Sequence, residues 1–131
     1  MPLRRDAILA SASCLPSSAK IFHYGQSIFE GMKAYKDEQD AIWLFRPLDN
    51  QKRFNISAKR LAMPELPEAY FMEGLEALLL LEKDWIPTTK DSSLYIRPFM
   101  FASGNGFHAS PSDKYKFIIA CSPSGPYFGG K

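Results

Sequence analysis

Tyr95 and Arg97 are the residues of this sequence best placed for ligand chemistry. They alternate with apolar residues in the segment 94–98 (LYIRP), so they share one face of a predicted strand. An arginine on the face of an otherwise apolar strand requires an anionic partner or a water-filled cleft. Two interpretations stay open from the residues alone: a grip on a substrate carboxylate, or a structural ion pair, for example with Glu30.

Arg53 is the second candidate, because it closely follows Asn50 near the start of a predicted helix. The N–H groups of a helix terminus and a guanidinium both favour anions, so an arginine at this place can complement a phosphate. The alternative is an ordinary solvated helix arginine, which is the more frequent case for this residue type.

The segment 22–31 (FHYGQSIFEG) places polar side chains beside two glycines. His23, Tyr24, Gln26 and Ser27 can line a pocket, because the glycines permit tight turns. A turn with a hydrogen-bonded histidine is the plainer alternative. A hydrolase that uses Ser27 and His23 is a weaker hypothesis, since no acid that would orient the histidine can be identified.

The glycine-rich segment 103–108 (SGNGFH) lacks the lysine of a P-loop and the spacing of a dinucleotide fingerprint, so we predict a surface loop. The two histidines are too few to predict a metal site. Cys14 and Cys121 lie far apart in the sequence and form no CxxC motif, so they predict neither a metal site nor a redox motif. A disulfide between them is the alternative to the reduced thiols that we expect.

The elements that must position these residues follow from hydrophobic periodicity and from breakers. The predicted elements are strands at 32–36 and 41–45 around a polar turn, a helix from a cap at Asp49 or Asn50 to about Leu61, a helix from Pro67 to near Trp85, and strands at 93–101 and 115–121. This order predicts an α+β fold with two helices and a mainly antiparallel sheet.

Composition narrows the class of protein further. The chain has 131 residues and 46% hydrophobic residues, which suits one domain at 21–131 after an irregular arm at 1–20. A net charge of +2 gives no argument for nucleic acid. The apolar run 77–81 is far shorter than the ~20 residues of a membrane helix, and no convincing signal peptide begins the chain. We therefore expect a cytoplasmic protein.

Four collinear segments carry a resemblance to a known family: FHYGQSIFEGMKAYK at 22–36, LFRPLDNQKRFNISAKRLAMP at 44–64, SLYIRPFMFASG at 93–104 and KYKFIIACSPSGPYF at 114–128. Together they resemble the branched-chain amino acid aminotransferases, which have the fold-type IV pyridoxal phosphate fold. D-amino acid aminotransferase and aminodeoxychorismate lyase share that fold, but they are less similar to the first and third segments.

The resemblance implies a role for each of five residues. Arg53 matches the arginine that binds the phosphate of pyridoxal 5'-phosphate. Tyr24 and Phe29 match residues that line the active site and its side-chain pocket. Tyr95 and Arg97 match the tyrosine and arginine that shape the substrate site, often across the interface of a homodimer. The implied substrates are amino acids and 2-oxo acids.

The same resemblance leaves the catalytic position empty. The family's Schiff-base lysine lies in a later segment, and no lysine of this sequence matches it; Lys131 would still precede that segment. We therefore expect the N-terminal domain of a two-domain enzyme, inactive by itself because proton transfer at the cofactor needs the lysine. The alternative is a non-catalytic fragment that forms dimers.

Overall fold

The structure, a computed structural model, describes residues 15–125. Their elements in chain order are α1 (Lys20–Tyr24), β1 (Ser27–Phe29), β2 (Met32–Lys36), β3 (Ile42–Leu44), α2 (Pro47–Arg60), α3 (Glu68–Leu81), a 3₁₀ turn (Lys83–Trp85), β4 (Ser93–Ala102) and β5 (Tyr115–Ser124). Most of the arm predicted at 1–20, including Cys14, lies outside the described residues.

β4 is the strand on which the sheet is built. β1 and β2 pair along one of its edges, β5 pairs along the other, and β3 extends the sheet beyond β2. Every one of these described pairings is antiparallel. The predicted α+β class with a mainly antiparallel sheet is therefore confirmed, as is the hairpin that joins β2 to β3.

β1 and β2 form one line of pairing that is interrupted opposite Pro98. Phe29 pairs with Phe99 and Met32 with Ile96, so the register is the same on both sides of the interruption. The Glu30 N–H still donates to the Pro98 carbonyl at 2.8 Å. Pro98 has no N–H to complete the pair, and this missing donor separates the two strands.

The side chains of β4 alternate between two environments, as the sequence predicts. Leu94, Ile96 and Met100 are buried beneath the helices. Tyr95, Arg97 and Phe99 lie on the opposite side, which we call the open face. The helices cover one side of the sheet only, so the polar candidates of β4 stay accessible.

The core is organised around three phenylalanines from three elements. Phe54 of α2, Phe71 of α3 and Phe117 of β5 lie with their ring centroids 5.6–5.9 Å apart. Phe54 and Phe71 are completely buried. Gly74 brings α3 close to β5, since a Cβ there would be 3.4 Å from the end of Ile119. The contact explains why the glycine is tolerated within the helix.

The segment between α2 and α3 is ordered by side chains of α2. The Gln51 and Asn55 amides donate to the Leu66 carbonyl at 3.1 and 2.9 Å, and the Leu66 N–H donates to the Asn55 side chain at 2.8 Å. Polar side chains of a helix thus satisfy backbone groups that this irregular segment cannot satisfy by itself.

The helix boundaries differ from those that the sequence predicts. α2 begins at Pro47, with Arg46 as its N-cap at φ 49°, so the predicted cap at Asp49 or Asn50 is wrong. Proline is preorganised for the first position of a helix, which explains the earlier start. α3 ends at Leu81 and a 3₁₀ turn reaches Trp85, where a single helix was expected. Leu61, where the sequence predicts the end of this helix, is the C-cap of α2 and is exposed.

We predict that Phe54→Ala destabilises the chain strongly, by about 3–5 kcal/mol, because it removes a buried ring from the contact between α2, α3 and β5. Urea unfolding monitored by circular dichroism measures the change. Ile56→Ala is the matched control on the same helix, since Ile56 is 68% exposed, and its effect should stay within about 0.5 kcal/mol. Equal losses in the two variants would contradict this account of the core.

Candidate functional site

Phe29, Tyr95 and Arg97 form one cluster on the open face. The Nε and Nη2 groups of Arg97 donate to the Tyr95 hydroxyl at 3.1 and 2.7 Å. The guanidinium carbon lies 4.5 Å from the centroid of the Phe29 ring and 5.3 Å from that of Tyr95. Contact of this kind with aromatic faces restrains an arginine while leaving its charge uncompensated.

Gly31 makes room for this cluster. A Cβ built at Gly31 would lie 2.7 Å from the Tyr95 hydroxyl oxygen, closer than such atoms approach. The Tyr95 hydroxyl can therefore occupy the place where another residue would carry its side chain, and Arg97 then donates to it. The glycine in FEGMKAY thus makes space for an aromatic ring of the neighbouring strand.

The ion pair between Arg97 and Glu30 that the sequence left open is absent. Within residues 15–125 no carboxylate lies in ion-pair distance of Arg97. Glu30 belongs to the alternating set of side chains on the helix side of the sheet, and it pairs with Arg53 there. The geometry therefore favours the other interpretation, in which Arg97 is available to an external anion.

Glu30 and Arg53 form a second cluster, on the helix side of the sheet. The Nε and Nη2 groups of Arg53 donate to the two carboxylate oxygens of Glu30 at 2.6 and 2.7 Å, which is a bidentate pair. The Asn50 amide donates to the same carboxylate at 2.8 Å. Glu30 is only 3% exposed, whereas the side chain of Arg53 is 67% exposed. A buried carboxylate thus fixes an accessible guanidinium.

The surroundings of Glu30 hold it in its charged form. Burial by itself raises the pKa of the carboxyl group, but hydrogen bonds from Arg53 and Asn50 and the charge of Arg53 lower it by more. The net pKa of Glu30 lies below its ordinary value. The hydrogen bonds that Arg53 donates to Glu30, together with the negative charge of Glu30, correspondingly raise the pKa of Arg53.

Arg53 keeps a free edge toward solvent. Its Nη1 group makes no hydrogen bond within the described residues, and a shallow surface cleft of about 410 Å³ lies beside it. Phe45, Arg46, Asp49 and Asn50 line the rest of this cleft. Both arginines of this cleft carry an ion pair, Arg46 with Asp49 and Arg53 with Glu30, but the pair of Arg53 uses only its Nε and Nη2 groups. An oriented guanidinium of this kind fits a phosphate group.

Tyr24 makes no described contact with the cluster on the open face. Its hydroxyl donates to the Phe107 carbonyl, and no described hydrogen bond or ring contact joins it to Tyr95 or Arg97. The neighbouring His23 packs edge-on against Phe107 at 5.0 Å, with its Nε2 atom 2.8 Å from the Ser17 carbonyl. The structure thus brings together only part of the predicted substrate set.

His23 and Ser27 do not form a nucleophile and base. The hydrogen bond of the histidine goes to the backbone of Ser17, and Ser27 lies in β1 after the turn at Gly25. Gly25 ends α1 in the left-handed region at φ 66°, which glycine adopts without strain. The arrangement corresponds to the plainer sequence interpretation, a turn with a hydrogen-bonded histidine.

Sequence reasoning missed Glu30 as the partner of Arg53. The signal was present: Ile28, Met32 and Ala34 share its side of the strand and are all buried, so the same period places a carboxylate in the core. A carboxylate in the core requires a cation. The sequence offered Arg97 as a candidate for that cation, because it predicts no strand over 27–31 and therefore gives no face for Glu30.

The curated proteins that match this chain include several branched-chain-amino-acid aminotransferases. A probable branched-chain-amino-acid aminotransferase of Staphylococcus aureus (strain N315) is 50% identical over 87% of this chain. Branched-chain-amino-acid transaminase 1 of Bacillus subtilis is 47% identical over 88% of it. The resemblance to the branched-chain aminotransferases is confirmed. No protein-family model matches the chain.

Solved structures of branched-chain aminotransferases share this fold. The enzyme of Escherichia coli superposes with a TM-score of 0.64 at 23% identity, covering 89% of this chain and 37% of that one. The enzyme of T.th. with pyridoxamine 5'-phosphate gives 0.65 at 27% identity, covering 89% and 37%. This chain spans about a third of the length of the curated branched-chain aminotransferases that it matches. No helix among residues 15–125 is long and apolar enough to cross a membrane.

The low pKa of Glu30 predicts a specific loss of stability in acid. A carboxyl group whose folded pKa is depressed stabilises the fold above its unfolded pKa, which is about 4.3, and that contribution is lost as the pH falls through the folded value. We expect Glu30→Gln to cost about 1–3 kcal/mol at pH 7 and less at pH 3. Urea unfolding of both proteins between pH 7 and pH 3 measures the difference.

Asp49→Asn is the control for this prediction. Asp49 pairs with Arg46 on the surface, where an ion pair contributes about 0–1 kcal/mol. Its effect should be small. If Glu30→Gln had the same cost at pH 7 and pH 3, the stabilisation could not come from the charged form of Glu30.

Proposed function

We propose that this chain is the N-terminal part of a branched-chain aminotransferase. The complete enzyme exchanges an amino group between leucine, isoleucine or valine and 2-oxoglutarate, with pyridoxal 5'-phosphate as cofactor. The observation that carries the proposal is the 50% identity to a curated branched-chain aminotransferase over 87% of the chain. A solved relative that contains pyridoxamine 5'-phosphate supports the choice of cofactor.

Arg53 is the residue that we propose for the cofactor phosphate. Pyridoxal phosphate, when bound, supplies the electron sink that amino transfer requires. The free Nη1 edge of Arg53 provides a fixed positive charge for the phosphate, while Glu30 holds the other edge. Because the guanidinium is already oriented, little side-chain entropy is lost when the anion binds.

Arg97, Tyr95 and Phe29 are the residues that we propose for the substrate. Arg97 carries the charge that a carboxylate requires, and the aromatic rings beside it offer an apolar surface to an aliphatic side chain. The same surface accommodates glutamate when Arg97 holds its second carboxylate. Tyr24 completes the proposed set from the side of α1, where its hydroxyl contacts the backbone of Phe107.

A second candidate function is that of a non-catalytic module that forms homodimers in the cytoplasm. The observation that favours it is a group of large exposed aromatic residues on and beside the β2–β3 hairpin, namely Tyr35, Trp43 and Phe45. Exposed apolar surface of this kind is typical of interaction sites. The two candidates are compatible, because an aminotransferase subunit that dimerises needs such a surface as well.

If the chain forms the proposed homodimer, its mass in solution is twice 14.8 kDa. Light scattering measures that mass directly. Replacing Phe45, which is 78% exposed, by serine should shift the chain toward the monomer without loss of fold, and Ile56→Ser is the matched control at an exposed position of α2. A monomer at every concentration tested would remove the dimer from the proposal.

The cofactor assignment predicts that the chain binds pyridoxamine 5'-phosphate through Arg53. This ligand is chosen because its amine cannot condense with surface lysines. Arg53→Gln should weaken the binding about tenfold, the value of one charge-assisted hydrogen bond. Titration monitored by phosphorus NMR measures the affinity.

Arg60→Gln is the control for that titration, because Arg60 lies on the same helix and contacts a different part of the surface. Pyridoxamine without the phosphate is the second control and should bind equally to both variants and to the parent chain. Equal affinity of the Arg53 and Arg60 variants for the phosphorylated ligand would contradict the assignment.

A further inference from the structure

Lys20 carries a charge in a buried position, and none of the residues assigned above requires it there. It is only 6% exposed. Its ammonium group donates to the Ser110 hydroxyl at 2.6 Å and to the Ser110 carbonyl at 2.7 Å, with the carbonyls of Pro111 and His108 at 3.3 and 3.4 Å. An ammonium has three donors, and this shell satisfies all of them.

All four acceptors belong to one connection, the residues 103–114 between β4 and β5, which we call the 103–114 loop. Its base is held by backbone hydrogen bonds, from Ser103 to the Lys114 carbonyl at 2.8 Å and from Gly106 to the Ser18 carbonyl at 2.9 Å. Its tip has no strand or helix of its own. The carbonyls at the tip converge on the ammonium, so a single cation neutralises dipoles that would otherwise repel one another.

α1 directs two side chains at this loop. Lys20 and Tyr24 are four residues apart, which places them on the same face of the helix. Lys20 holds residues 108–111, and the Tyr24 hydroxyl donates to the carbonyl of Phe107 just before them. The position of Tyr24 and Phe107 is therefore linked to the contact that Lys20 makes.

We propose that Lys20 is a positioning residue that acts as a tethered cation for the 103–114 loop. Its ammonium holds the backbone carbonyls of the tip in place, and the fixed tip then presents Phe107 to Tyr24 and His23. The effect of Lys20 on the loop depends on N–H donors at the position of its ammonium nitrogen, because the acceptors surround that nitrogen at hydrogen-bond distance. This inference goes beyond the proposed function and holds whether or not the chain binds a cofactor.

Hydrogen exchange of the whole chain, followed by mass spectrometry, tests the inference without any activity assay. Lys20→Met keeps the length of the side chain and removes the charge and the donors. We expect exchange at residues 106–113 to become at least about tenfold faster, with no change in α2 or in the β4–β5 ladder. Lys36→Met is the matched control, since the Lys36 ammonium donates to the Lys83 carbonyl, outside the loop.

Chemical rescue separates the tethered cation from simple packing. Lys20→Ala leaves a space that matches propylammonium, which supplies the missing methylene groups and the ammonium. We expect propylammonium to restore slow exchange in residues 106–113, and tetramethylammonium, which is charged but has no N–H, to leave it fast. Equal rescue by the two ions, or none by either, would overturn the proposal.

Ser110→Ala keeps the proposal testable if the lysine variants unfold. This change removes one acceptor, the hydroxyl at 2.6 Å, and leaves the buried lysine intact. Exchange should accelerate in the same residues by a smaller factor, about threefold. Unchanged exchange in Ser110→Ala and unchanged exchange in Lys20→Met each count against Lys20 as the residue that positions the loop.

Discussion

β4 pairs on both of its edges, with β1 and β2 on one and β5 on the other. Its side chains alternate between the two sides of the sheet, and this alternation determines which residues face the helices. Its even-numbered residues from 94 to 100 are sealed under α2 and α3, and the odd-numbered Tyr95 and Arg97 remain on the open face. Because β1 and β2 keep one register along β4, the same rule extends to them. Glu30 therefore enters the helix side, while its neighbour Gly31 lies beneath the Tyr95 hydroxyl.

Arg53 and Arg97, the two candidate arginines, are held by different partners. Arg53 is locked by two hydrogen bonds to a buried carboxylate, so its orientation is fixed and part of its charge is neutralised. Arg97 is held by a neutral hydroxyl and two aromatic rings, and no carboxylate among residues 15–125 pairs with it.

Much of the fold could be predicted from the sequence, because strands and helices each space their buried apolar residues at a characteristic interval. The alternation in 93–101 predicted β4 and the sharing of one face by Tyr95 and Arg97, and the four family segments predicted the aminotransferase fold. Boundaries were less accurate: the cap of α2 lies at Arg46, since the ring of Pro47 favours an early start over a polar cap. Phe29, Tyr95 and Arg97 lie in contact with one another and Tyr24 makes no described contact with them, while the roles of all four in binding a substrate stay a prediction.

The sequence by itself determined the residue types, the periods and the similarity to branched-chain aminotransferases. Only the tertiary structure decided which arginine pairs with Glu30. The carboxylate of Glu30 lies on the helix side of the sheet, where it contacts Arg53 of α2, whereas Arg97 lies on the opposite side. The structure likewise decided the role of Lys20, whose partners lie 88 to 91 residues away in the chain. No local pattern encodes a contact of that separation; it exists because the turn before α1 and the loop after β4 fold onto the same end of the sheet.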